Sequence, residues 1–286
     1  MPASPARSAS LPVVRALRVT LLALLAALAL LPGASARADG GAEADAPVRL
    51  VIATSGLTWE DIDAESTPTL QCLADRSGVG ATNTTSTTVV STKRQGIETL
   101  HTGYRGLAEE APHTSGIPTP PTDQWEQLPG VVTETDNPAA VAGALQDGDV
   151  VELIAPSVPD HDDPSREQAL TELDGAVAAA LEDLGGCEAA DLPRTLLVSV
   201  AATDPEHPEE VERTGAVASR TVGLQVAMDT ALPGQALTSG ATKQTGVVMI
   251  TDVVATVLSS HDASADGLIP GQPFRGTDSD DAQQLA

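Results

Sequence analysis

Aromatic side chains are almost missing from this sequence: two Trp, one Tyr and one Phe, 1% of 286 residues. The core must therefore be assembled from Val, Leu, Ile and Ala, and no stacking platform for sugars or bases is expected. Positive charge is scarce as well. Lys and Arg number 15 against 40 Asp and Glu, which gives a net charge of −25 and a pI of ≈ 4.2. Such a surface repels nucleic acid and anionic lipid and favours solubility. It also repels highly charged phosphate esters unless a metal or local basic residues offset the field. There is no Gly-rich phosphate loop, no G-x-S-x-G elbow, no H-E-x-x-H pair and no paired C-x-x-C. No internal repeat is visible. Cys72 and Cys187 are the only cysteines. An exported chain can hold a disulfide, but Cys72 falls off the Leu70/Leu73 helical face and Cys187 in a loop. Two free thiols are the expectation.

Long hydrophobic runs are absent beyond the N-terminus. There, Arg7, Arg15 and Arg18 precede an apolar core from Leu21 to Leu31, and Ala34-Ser35-Ala36 or Ala36-Arg37-Ala38 offers a small-x-small cleavage site. Residues 1–38 read as a secretory signal peptide, with an uncleaved membrane anchor as the alternative. No Cys follows the apolar core, so a lipoprotein-type anchor is not indicated. The mature chain is expected outside the cytoplasm, with no membrane span after cleavage and no nucleic-acid partner. It divides into one α/β domain over 39–270 and a polar, acidic tail over 271–286.

The chain is organised around the stretch from Val48 to Arg76. Val48-Arg49-Leu50-Val51-Ile52-Ala53 is an apolar, β-branched run suited to a strand buried on both faces. Thr54-Ser55-Gly56 permits a tight turn, Glu60-Asp61-Ile62-Asp63 forms an acidic loop, and Thr67-Pro68 opens a helix with Leu70, Leu73 and Ala74 on one face. This is the first β-loop-α of an open sheet, whose strand C-terminal ends are where ligands usually sit. Downstream, "VGATNTTSTTVV" favours extended structure, and Ser91 or Thr92 caps a short helix ending near Gly103. Glu109 to Gly130 is a proline-rich surface loop. Val131 to Thr135 reads as an edge strand, Pro138 to Leu145 as a short helix and "VVELI" at Val150 to Ile154 as a buried strand. Asp163-Pro164 opens a helix with Leu170, Leu173, Val177, Leu181 and Leu184 on one face, stopped at Gly185-Gly186. "RTLLVSVAA" is a central strand, Val222 to Met228 a further one, and Val247 to Ser259 a closing strand and helix. His161 among Asp160, Asp162 and Asp163 reads as an acidic helix start.

Strand, small turn, "GLTWEDID" and "TPTLQCLADRSGVGATNTTS" together resemble the opening of the alkaline phosphatase-like superfamily of phosphatases, sulfatases and phosphodiesterases. They are more similar still to the extracytoplasmic domain of a group of actinobacterial envelope proteins. "LTSGATKQTGVVMITDVVATVL" is similar to the closing strand and helix of that superfamily, and the resemblance covers most of the mature chain. It implies a mostly parallel sheet with helices on both faces. It also implies a nucleophile at a strand-to-helix junction, which places Thr92 there with Ser91 beside it; the alternative is that Thr92 is only a helix cap. A two-metal hydrolase of this type needs a carboxylate after the first strand, an Asp-His pair after a central strand and further His ligands. Here Thr54 and Ser55 stand at the first position. The second becomes Thr203-Asp204-Pro205-Glu206-His207-Pro208, with altered spacing. At the closing strand Lys243 is the only charged side chain. A Ser55/His207/Asp204 triad is a further arrangement on paper.

These substitutions imply a degenerate metal site and a non-catalytic domain binding an envelope ligand or protein, with no cofactor. The alternative is a phosphate or sulfate ester hydrolase with Thr92 as nucleophile and zinc, manganese or calcium held by Asp204 and His207. Either reading requires Ala53–Gly56, Ser91–Thr92 and Ala202–His207 to converge at one sheet edge.

Overall fold

A computed structural model describes residues 46–84, 91–104, 123–202 and 225–277. All of them belong to the unit spanning Ala42–Ala286. The β-branched run after Pro47 becomes β1, Leu50–Thr54, with all five residues buried. It is flanked by parallel neighbours on both sides, β4 (Val150–Ile154) and β5 (Thr195–Ser199), in the registers Leu50↔Val151 and Leu50↔Thr195. Apolar residues dominate all three strands, as strands covered on both faces require, with Glu152 the one charged residue among them. β3 (Val132–Thr135) adds to β4 in parallel and is the edge on that side.

Beyond β5 the sheet mixes directions. β6 (Gln225–Asp229) pairs antiparallel with β5 and with β2 (Gly78–Asn83). β7 (Ala236–Ser239) and β8 (Val247–Met249) both join β2 in parallel, and β9 (Phe274–Thr277) runs antiparallel along β7. The order is β3-β4-β1-β5-β6-β2-β7-β9 with β8 also on β2, nine strands among the described residues. The protein is an α/β fold with a mostly parallel sheet.

Two apolar layers enclose it. On one face α1 (Pro68–Asp75), α3 (Val141–Asp147) and α4 (Arg166–Glu182) bring Leu70, Leu73, Val141, Leu173, Val177 and Leu181 onto Leu50, Ile52, Val151 and Leu197. On the other, α2 (Lys93–Thr102), a short helical turn at Gln124–Gln127 and α5 (Ile250–Ser260) bring Leu100, Trp125, Val253 and Val257 onto Val51, Ala53, Val150 and Val198. Among the described residues no helix is long and apolar enough to cross a membrane.

Two expectations change. The two cysteines are bonded: Cys72 on α1 joins Cys187 in the loop after α4, with their Cα atoms 6.3 Å apart. Lying off the buried leucine face leaves Cys72 facing the loop that carries its partner, which spacing along the sequence does not reveal. The acidic tail begins later than residue 271, because Phe274 is buried and Phe274–Thr277 pair with β7. The acidic loop after β1 contains a short helical turn, Trp59–Asp61. Asp61 is buried and takes two hydrogen bonds from Arg166, Nη2 to Oδ2 at 2.6 Å and Nε to Oδ1 at 3.2 Å. The proposed signal peptide and most of the proline-rich loop lie outside the described residues.

Candidate functional site

The C-terminal ends of β4, β1 and β5 form one edge, and backbone hydrogen bonds fix its shape. Ala155 N–H donates to Ala53 O at 2.9 Å, Val200 N–H to Thr54 O at 2.8 Å, and Gly56 N–H to Ala201 O at 2.9 Å. Gly56 has φ +74°, and a Cβ there would lie 1.9 Å from Val158 O. Only glycine turns the chain at this point. Thr54 Oγ1 donates to Pro156 O at 2.6 Å, so this hydroxyl is spent on the neighbouring loop. Arg166 Nη2 donates to Gly56 O at 3.2 Å, tying the same turn to the start of α4.

The N-terminus of α2 is seated on this edge. Lys93 Nζ donates to Ala155 O at 2.6 Å. A Cβ on Gly96 would lie 2.3 Å from Val200 O, so glycine allows the first turn of α2 to touch the end of β5. Thr92 is the N-cap: its Oγ1 accepts from Gln95 N–H at 3.3 Å, and its own N–H donates to Gln95 Oε1 at 3.1 Å. That reciprocal pair is a capping box. Ser91 is buried and its hydroxyl donates to Thr84 O. Ser55 continues the alternation of Val51 and Ala53, both in the layer that α2 covers. Its side chain is fully buried, and its Oγ has no hydrogen-bond partner.

The fold therefore brings Thr54, Ser55, Ser91 and Thr92 to one sheet edge. Lys243 is elsewhere. It is exposed, with φ +55°, on the turn after β7. β5, β6 and β2 separate β7 from β1, four steps of about 4.8 Å or roughly 19 Å across the sheet. Asp204 and His207 lie outside the described residues, and with them the paper triad. The acidic helix start is ordinary: Asp163 Oδ1 accepts from Ser165 N–H at 2.8 Å and from its hydroxyl at 2.6 Å, which holds the carboxyl below its usual range.

One polar pair was not singled out from sequence. Glu152, in the centre of "VVELI", is buried beneath α2, and its Oε2 lies 2.6 Å from His101 Nε2. Burial pushes the Glu152 carboxyl upward, against the lowering effect of the His101 contact. For His101 burial opposes the charge, but the Glu152 hydrogen bond and the nearby carboxylates raise it above the ordinary histidine value. The available signal was the glutamate itself, a charge at the middle of a run otherwise suited to full burial.

Compared with known protein families and with curated proteins, the chain matches none.

Proposed function

We propose that this is an exported, non-catalytic domain of the alkaline phosphatase-like kind, binding an envelope ligand or protein at the edge where β4, β1 and β5 end. The observation that carries the reading is Ser55. A neutral, buried hydroxyl with no hydrogen-bond partner stands where the resembled hydrolases place a metal-binding carboxylate. A hydroxyl cannot supply the charge that holds two divalent ions around a transferring phosphoryl group. Ser55 is fully enclosed, so its unpaired hydroxyl meets a ligand's polar atom only when the strand-end edge opens to admit one. The Cys72–Cys187 bond supports an oxidising, extracytoplasmic setting.

Thr92 separates this reading from the hydrolase alternative. As a cap it satisfies the Gln95 N–H, so Thr92→Ala costs about 1 kcal/mol and Thr92→Ser is nearly silent. As a nucleophile, its loss would abolish turnover while leaving the fold almost untouched. The test is hydrolysis of aryl phosphate and aryl sulfate esters by the purified chain with zinc, manganese or calcium added. No turnover above that of the Thr92→Ala variant is expected. Robust turnover that disappears in that one variant would establish the hydrolase instead.

A further inference from the structure

The buried acid on β4 belongs to a larger cluster, set apart from the strand ends. Glu134 on the edge strand β3 is the register partner of Glu152, so both carboxylates leave the same face of adjacent strands. One ligand atom from each of His101, Glu134 and Glu152 lies within 4.8 Å of the others. Glu152 is 1% exposed, and its second oxygen, Oε1, has no hydrogen-bond partner. On the far side of the imidazole, His101 Nδ1 is 3.6 Å from Asp123 Oδ2. Trp125 backs the ring at 5.6 Å between centroids.

Charge makes this arrangement expensive as it stands. Like charges directly across two strands destabilise them, and a buried carboxylate oxygen without a partner forfeits its hydration. Among the described residues of the cluster, the His101 ring is the one basic group facing three carboxyl groups, those of Glu134, Glu152 and Asp123. A divalent cation would satisfy the orphaned oxygen and both glutamates together. We propose that His101 Nε2, Glu134 and Glu152 bind one divalent transition-metal ion, with zinc the best match to the donors.

An imidazole nitrogen with two carboxylate oxygens is a borderline donor set, better suited to zinc than to calcium or magnesium. Zinc at about 2.0–2.1 Å from each ligand puts the donor atoms roughly 3.3 Å apart. The His101–Glu152 contact must open slightly to admit the ion, and the widest span must close. Glu134 is exposed and can swing to do so. Its side of the cluster leaves the fourth position to water. Asp123 Oδ2, 3.6 Å from Nδ1, needs only a small closure to accept a hydrogen bond from Nδ1–H once Nε2 binds the metal, which fixes the tautomer in the usual carboxylate–histidine–metal pattern. The bound ion would lock edge strand β3 and the Asp123–Trp125 turn to the end of α2.

The proposal does not depend on the strand-end reading, and a chain that hydrolyses nothing can still bind this ion. The test is calorimetric titration of the chelator-stripped chain with zinc, alongside thermal unfolding and the absorption spectrum of the cobalt-loaded form. One zinc per chain is expected, with a rise of about 5–10 °C in the melting temperature at a hundredfold excess over Kd. Glu134→Gln, an exposed change that leaves the fold intact, should weaken binding at least tenfold. Glu152→Gln and His101→Gln should abolish it and remove the tetrahedral cobalt bands. Glu98→Gln, an exposed acid on the same helix, should bind as the unmutated chain does. Absence of a one-to-one isotherm, or weak binding that Glu98→Gln diminishes as much as Glu134→Gln does, would overturn the site and leave only diffuse attraction to an acidic surface.

Discussion

Single residues at the end of β1 carry the proposed reading of this chain. Ser55 lies buried just past the end of β1, with an unpaired hydroxyl and no charge. Removing an unsatisfied buried hydroxyl costs little, because the folded state has already lost its hydration without compensation. Ser55→Ala is therefore expected to change stability by less than about 1 kcal/mol, in either direction, by denaturant unfolding. A larger loss would mean that the hydroxyl has a partner in the folded protein. Ser55 was legible in the sequence as a departure from the resembled pattern, and so was the capping role of Thr92. Glu152 was not. Sequence alone presents it as one polar letter in an apolar strand, and its meaning comes from His101 and Glu134, 51 and 18 residues away.

At the level of elements, the seating of α2 on the ends of β4 and β5 sets the site. Gly96 is the contact that permits it. Gly96→Ala gains up to about 1 kcal/mol of helix propensity but forces a methyl into the Val200 carbonyl, an overpacking cost of about 1–3 kcal/mol. A net loss of stability is expected, measured as a lower denaturation midpoint without a changed slope. A net gain would show that α2 stands farther from the sheet. Strands and helices with strong patterns were readable in advance: β1, β4, β5, α1 and α4 fall within a few residues of their sequence-based positions. β7 and β9 were not read, because Ala236–Ser239 and Phe274–Thr277 are four residues each with little apolar content. They become strands by pairing with each other and with β2. No local signal specifies that.

Across the whole molecule, the Cys72–Cys187 bond closes a loop over a sequence separation of 115 residues. In the chain-entropy account such a loop contributes about 4–5 kcal/mol, and removal of native bridges typically costs about 2–5 kcal/mol. The Cys72→Ser/Cys187→Ser double variant is expected to lose stability in that range, and reductant should do the same to the unmutated chain. Identical unfolding curves with and without reductant would exclude the bond. It fastens α1 to the loop after α4 and so braces the layer opposite the candidate site. The net charge of −25 opposes compaction through self-repulsion. A covalent tie between distant segments opposes that.

The sequence by itself determined the α/β class, the parallel centre of the sheet and the hydroxyl character of the first strand end. Those properties follow from local periodicity, β-branched content and turn chemistry, which act over a few residues. Tertiary structure alone decided the cysteine pairing, the burial of Asp61 against Arg166, the late strand at Phe274 and the separation of Lys243 from Ser55. It also decided the meeting of His101, Glu134 and Glu152. Each of these depends on where segments far apart in sequence come to lie, and register between distant strands is set by packing two whole layers, which no short window of sequence contains.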